Sequence, residues 1–193
     1  MNVCAPRRLT KPGGGADGPE EARMGFLLLV PFFLIRFGLM ARLDRAVLPR
    51  AAHFPPLRGG ERAAYWVYQA STAALLLGIG FSKIRPTRLL PLGSACYALG
   101  LLLLALSVAG FCAPAEDGVR QGGIYRFSRN PMYIAYFVFF AGCGLLAASW
   151  PLGAALGCFQ ISAHRIILAE ERWCRENFGE AYRRYAERVR RYL

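Results

Sequence analysis

Acidic residues are scarce in this chain, and a pair of them at the end of its longest acid-free apolar stretches is the first sign of chemistry. No Asp or Glu occurs between Arg62 and Ala115, and none between Gly118 and Ala169. Glu170 and Glu171 then appear side by side, where a long apolar stretch gives way to charge. Carboxylates at a membrane edge cost free energy unless they have a partner or a task. Two solvated helix acids are the plain reading, and a pair that binds a cationic ligand is the functional one. Upstream lies GGIYRFSRNPMY, residues 122–133. Asn130 followed by Pro131 has the pattern of an N-cap and a first-turn proline, so a helix starts there. Gly122 and Gly123 permit tight backbone turns before it. Tyr125 and Tyr133 offer aromatic faces with hydroxyl tips. The free N–H groups of the helix start suit an anionic or polar ligand group. His164 and Glu171 are seven apart and share a helix face, with Arg165 on a neighbouring one.

The elements that must position these groups are apolar helices. More than half of the 193 residues are hydrophobic and mean hydropathy is positive, which is unusual for a soluble protein. The net charge of +12 would suit nucleic acid. The arginines, however, cluster between apolar runs of bilayer length, so basic loops flanking membrane spans explain the charge better. The runs are 24–41, 63–82, 89–113, one from Pro131 to near Trp150, and a shorter one over 152–163 that continues as a helix into HRIILAEERWCRENFG. The expected fold is all-α: a bundle of about five membrane helices, the last two forming a tight hairpin around Trp150-Pro151, with Pro151 and Gly153 breaking the fourth run. The expected organisation is a disordered polar tail over 1–23, three N-terminal membrane helices over 24–113 and a cofactor-binding region over 114–193. Met24 is a candidate start of translation. Arg36 is unusual within its apolar run and is expected to snorkel or face the bundle. The tail EAYRRYAERVRRYL reads as a basic amphipathic segment on the membrane surface.

With the C-terminus inside, sixteen Lys and Arg lie on the inner side against seven outside, so the C-terminus and the 122–133 cluster are expected to face the cytoplasm. An arginine-rich, lysine-poor composition points to a GC-rich bacterial genome and hence to the bacterial cell membrane. The six cysteines form no C-x-x-C pair, which suggests neither a zinc site nor a disulfide framework. The hairpin brings Asn130 and Glu170 to the same rim.

GGIYRFSRNPMY followed by EERWCRENFGEAYRRYAERVRRY resembles the isoprenylcysteine carboxyl methyltransferase and phospholipid N-methyltransferase superfamily over roughly Gly118 to Tyr192. These are integral membrane enzymes that use S-adenosylmethionine. The resemblance implies that Tyr125, then Arg129, Asn130, Pro131, Met132 and Tyr133, and finally Glu170 and Glu171 line a cofactor pocket. Val119 and Arg120 align with a cofactor-contacting stretch more weakly. The family's acceptor-side arginine precedes the glutamates, where this chain offers His164 and Arg165. These two, with Arg129, are the candidate catalytic residues. The isoprenylcysteine branch usually has His where Asn130 stands. NPMY looks more like the phospholipid branch, which argues against a prenylated-protein substrate.

The residue chemistry agrees with what the resemblance implies. Carboxylates can bind the ammonium or ribose hydroxyls of S-adenosylmethionine, and tyrosine faces can hold its adenine or sulfonium. Methyl transfer needs alignment above all, and no metal. A carboxylate acceptor needs no base and would suit Arg165. An amine acceptor must first lose a proton, which would employ His164. The acceptor is expected to be a lipophilic molecule entering from the bilayer. Two other readings are a sterol-reductase-like enzyme using NADPH, which would need a basic site for the 2′-phosphate, and a non-enzymatic scaffold whose basic tail binds anionic lipid.

Overall fold

The computed structural model describes residues 23–44, 54–115 and 118–193. The polar tail expected over 1–23 lies outside them except for Arg23, which already belongs to the first helix, and Arg45 and Arg50 also fall outside. Among the described residues the chain is helical, with no extended strand. Helix α1 runs Arg23–Phe33, passes through a π-helical segment Leu34–Leu39 and resumes as Met40–Leu43. Pro31 removes one rung from the hydrogen-bond ladder just before the π segment begins. Helix α2 is Glu61–Gly80, α3 Leu90–Cys112, α4 Pro131–Ala147 and α5 Trp150–Arg188.

Three of these helices are long and apolar enough to cross a membrane: Gly25–Leu43, Leu90–Cys112 and Trp150–Arg188. Helix α4 is apolar but shorter, at 17 residues. The outer surface fits a bilayer environment. Leu34, Phe37, Leu92, Leu99, Leu102 and Ile161 are exposed large hydrophobics, far more apolar surface than a water-soluble monomer leaves open. Polar side chains inside the bundle satisfy themselves locally: Ser107 and Ser162 donate to the carbonyls of Leu103 and Cys158, four residues back.

The core explains how the helices pair. Helix α4 packs most extensively on α3, and α5 on α2, so the hairpin partners α4 and α5 lean on other helices more than on each other. Close approach of α3 and α4 depends on glycine: a Cβ at Gly100 would lie 2.5 Å from the Phe139 backbone, and one at Gly142 would lie 2.4 Å from that of Tyr97. The centre is aromatic, with Phe32 of α1 stacked on Phe139 of α4 at 4.7 Å.

The hairpin differs from the expected one in where it turns. Helix α4 ends at Ala147, Ala148 adopts a left-handed conformation (φ 46°), and the chain turns over Ala148–Ser149. Trp150 and Pro151 open α5 rather than break α4. A proline at a helix start lacks an N–H that would have had no partner there, and Gly153 lies inside the helix. The C-terminal segment also differs. Gly179 (φ 51°, ψ −121°) kinks α5, and the remainder folds back over the 118–130 loop. Its apolar face is spent on the protein: Tyr182 and Tyr185 bury against Val119, Cys174, Phe178 and Val189 instead of lying against lipid.

Candidate functional site

The loop before α4, the end of α5, the kinked tail and the 54–57 strand of chain all meet at one end of the bundle. Between them lies a cavity of about 570 Å3, within the usual size of a small-molecule site. Val119, Arg120, Tyr125, Arg129, Asn130, Pro131, Met132, Tyr133, Glu170 and Glu171 all line it. His164 and Arg165 do not. His164 lies on the tail side, its Nδ1 2.6 Å from the Tyr192 hydroxyl, and Arg165 is exposed.

The two adjacent glutamates have different surroundings because consecutive helical residues point about 100° apart. Glu171 is 2% exposed and sits in a clamp of arginines. Arg191 gives it a bidentate pair at 3.0 and 2.9 Å, Arg129 lies 3.4 Å away, and Arg175 of the same helix 3.5 Å. A buried carboxylate survives desolvation only with such partners. The clamp fastens the tail, because Arg191 is also the residue whose carbonyl accepts from Ser128 Oγ and Asn130 Nδ2. The Arg129 N–H donates to the Arg190 carbonyl beside it, and the Tyr185 hydroxyl donates to the Tyr125 carbonyl.

Asn130 occupies the expected N-cap position, yet its side chain makes no capping bond. The amide is drawn to the Arg191 carbonyl and to Glu171 Oε1 at 3.5 Å, and Ser128 Oγ accepts from the Asn130 N–H instead. Two polar partners that bury together outcompete one helix N–H that still has access to the cavity.

Glu170 faces the cavity. It accepts a 2.9 Å hydrogen bond from the Tyr133 hydroxyl, and among the described residues no cation pairs with it. Around it stand Tyr68, Tyr133 and Tyr136, with successive ring centroids 6.3 Å apart. Across the cavity Arg129 is about a tenth exposed, and its Nε has no acceptor among the described residues. Arg120 lies 4.5 Å above the Phe111 ring. In the loop, burial pushes the Tyr125 phenol up from its ordinary value, so it stays neutral. The cavity thus offers an acid, a guanidinium N–H and an aromatic wall at close quarters.

Several lining residues were not singled out by the motifs. Arg36 from α1, Phe54 and Pro55 from the following loop, Tyr68 from α2 and Tyr182 and Tyr185 from the tail complete the walls. Arg36, an arginine inside an apolar run, was the only one with a sequence signal. The 54–57 loop is pinned from outside: Arg172 of α5 pairs with Glu61 and donates to the Pro56 carbonyl.

Fold and site together describe an apolar helical bundle, three of whose helices are long and apolar enough to cross a membrane, with a largely apolar cavity carrying a few charged groups at one end. Residues 106–181 match the model of the phospholipid methyltransferase family. This stretch runs from the end of α3 to just past the kink in α5 and covers less than half of the chain. No curated protein and no solved structure matches the chain.

Proposed function

We propose that this protein is an S-adenosylmethionine-dependent methyltransferase that acts on a lipophilic acceptor delivered by the bilayer, by carboxyl O- or amine N-methylation. The observation that carries the reading is Glu170, a carboxylate in the cavity wall, oriented by Tyr133 and facing no cation among the described residues. Such a group is stable as an anion only if a cationic ligand comes to it. S-adenosylmethionine supplies, when bound, a methyl group on a sulfonium, whose carbon–sulfur electron pair stays with sulfur as the methyl bonds to the acceptor.

The residues fit that molecule feature by feature. Glu170 would take its ammonium group. Arg129 Nε, which lacks an acceptor among the described residues, would take its carboxylate. The rings of Tyr68, Tyr133 and Tyr136 would face the sulfonium or stack on the adenine. Glu171, expected from the resemblance to share in cofactor contact, supports the reading indirectly: it holds Arg129, Asn130 and the tail in place around the cavity. His164 and Arg165 lie off the cavity lining, which favours acceptor positioning by other side chains. A carboxylate acceptor reacts without losing a proton, and an amine must arrive neutral. The chain's contribution is then alignment and exclusion of water by the folded-back tail. The cavity lies at the same end as Arg120, Arg126, Arg172 and Arg175, and opposite Lys83, Arg85 and Arg88, so the positive-inside rule favours a cytoplasmic opening.

The test is transfer of a labelled methyl group from S-adenosylmethionine to a total membrane lipid extract by the purified full chain in lipid nanodiscs. Label in a lipid-soluble product is expected. A folded protein that labels no lipid fraction contradicts the proposal.

A further inference from the structure

The network around Glu171 holds more positive charge than negative. Three guanidiniums, those of Arg129, Arg175 and Arg191, share its one carboxylate. The adjacent acid, Glu170, turns to Tyr133 and the cavity instead. Even with Glu170 counted, cations outnumber acids here. The three cations are not equally solvated. The side chains of Arg175 and Arg191 are 50% and 33% exposed, and that of Arg129 only 10%. Water and salt screen the first two. Arg129 carries its charge nearly out of water, where repulsion between like charges is strongest. It lines the cavity, and its Nε has no acceptor among the described residues. An anion arriving at that N–H would restore the balance of the whole network.

The same network fastens a movable part. Beyond Gly179, residues 180–193 form a strap, and its Tyr182 and Tyr185 are part of the cavity wall. Gly179 (φ 51°) is a bend with nothing packed against it: a Cβ there would meet no atom within 4 Å. Such a backbone position can serve as a hinge. The far end of the strap is held by Arg191, whose guanidinium forks onto Glu171, and by the Arg190 carbonyl, which accepts from the Arg129 N–H. The Tyr192 hydroxyl lies 2.6 Å from His164 Nδ1 on α5. Arg129 therefore touches the strap on one side and the cavity on the other. Closing the strap brings Arg191 to Glu171, and Glu171 in turn orients Arg129. An anion on Arg129 relieves the crowding of cations that opposes closure. By linkage the two effects are equal in size.

We infer that Arg191 is a positioning residue that couples the strap to the ligand: acting through Glu171 on Arg129, it closes residues 180–193 over the cavity when the bound ligand carries a carboxylate. This rests on the methyltransferase reading above and adds a control to it. The amino-acid end of the methyl donor, and not its nucleoside, shuts the strap. Water is then excluded only from a cavity that holds the whole donor. A nucleoside without the carboxylate fills the cavity and leaves the strap loose.

The test is amide hydrogen exchange of the strap, read by mass spectrometry on the full chain in lipid nanodiscs. The two probes are S-adenosylhomocysteine and decarboxylated S-adenosylhomocysteine, each at saturation. The second keeps the nucleoside, the sulfur and the ammonium and lacks only the carboxylate. S-adenosylhomocysteine is expected to slow exchange across residues 180–193 about fivefold or more beyond the decarboxylated compound, the low end of an ordinary coupling between two sites. Arg191→Gln should lose this difference. Arg191→Lys, which keeps the charge but not the fork, should recover part of it. A merely structural arginine would change exchange equally with either ligand. Equal protection by the two ligands in the wild type overturns the inference, whether or not the variants fold. So does a carboxylate-specific protection that survives in Arg191→Gln. A folded wild type that binds neither ligand overturns the methyltransferase reading, and this inference with it.

Discussion

On one turn of α5 the chain builds two unlike regions, a clamp and a cavity. The clamp is complete: the buried Glu171 is held by Arg129, Arg175 and Arg191, and the tail is tied down through backbone carbonyls. The cavity is open and incomplete: among the described residues Glu170 has one tyrosine and no cation, and Arg129 Nε has no acceptor. Identical side chains one residue apart therefore do different work. The finished network spends its charge on structure, and the unfinished one leaves a carboxylate on the cavity wall.

This contrast can be broken first at Glu171. Replacing it with alanine leaves Arg129 and Arg191 facing each other without a counter-ion. A broken buried pair of this kind costs about 3–5 kcal/mol. Thermal unfolding should show that loss, and limited proteolysis should release the C-terminal segment. Stability within experimental error of wild type would mean that the clamp is not structural. Glu170→Gln is expected to behave oppositely, with unchanged melting temperature and methyl transfer reduced about 10- to 100-fold, the worth of one charged hydrogen bond.

Gly142→Val sharpens the comparison from a distance. It forces a side chain into the α3–α4 contact and should cost about 1–3 kcal/mol by overpacking. Ligand affinity at a saturating temperature margin should be preserved. His164→Phe removes the bond to Tyr192, a loss of about 1 kcal/mol. Transfer should fall by less than the Glu170 effect. A collapse of turnover with stability intact would instead return His164 to the acceptor. The smallest effect concerns the pin on the 54–57 loop. The Arg172 guanidinium beside Glu61 holds its carboxyl below the usual carboxylate range. A depressed value means that the contribution is present above that range and is lost as pH falls through the lowered value. The contribution is small, because the pair is partly exposed and screened by solvent. Arg172→Ala should flatten that acid limb of the stability profile.

Much of the helical architecture was legible because apolar runs of bilayer length have few alternatives. The ends of α2 and α3 fall within a residue or two of the runs that announced them. The turn before α5 was misplaced because proline is ambiguous in sequence: it stops one helix and starts another with equal ease, and only the left-handed Ala148 shows which. The tail was misjudged for a related reason. An amphipathic segment needs an apolar partner, and the sequence does not say whether lipid or protein supplies it. Glycine at 179 provided the kink that let protein win. At the site, the NPMY and Glu-Glu motifs pointed to residues that do come together around one cavity. The division of labour between Glu170 and Glu171 was not legible, since it depends on Arg191, which lies in the matched C-terminal stretch but to which the sequence assigned no role. Tyr68 and Phe54 were hidden because nothing distinguishes a cavity-lining aromatic from a core one in a chain this apolar.

The most direct measurement is calorimetric titration of S-adenosylhomocysteine into the detergent-solubilised full chain, wild type beside Glu170→Gln. One saturable site per chain is predicted, with affinity weakened about 10- to 100-fold by the substitution while the protein stays folded. A folded wild type that takes up no ligand, or a Glu170→Gln variant that binds as tightly as wild type, would contradict the account.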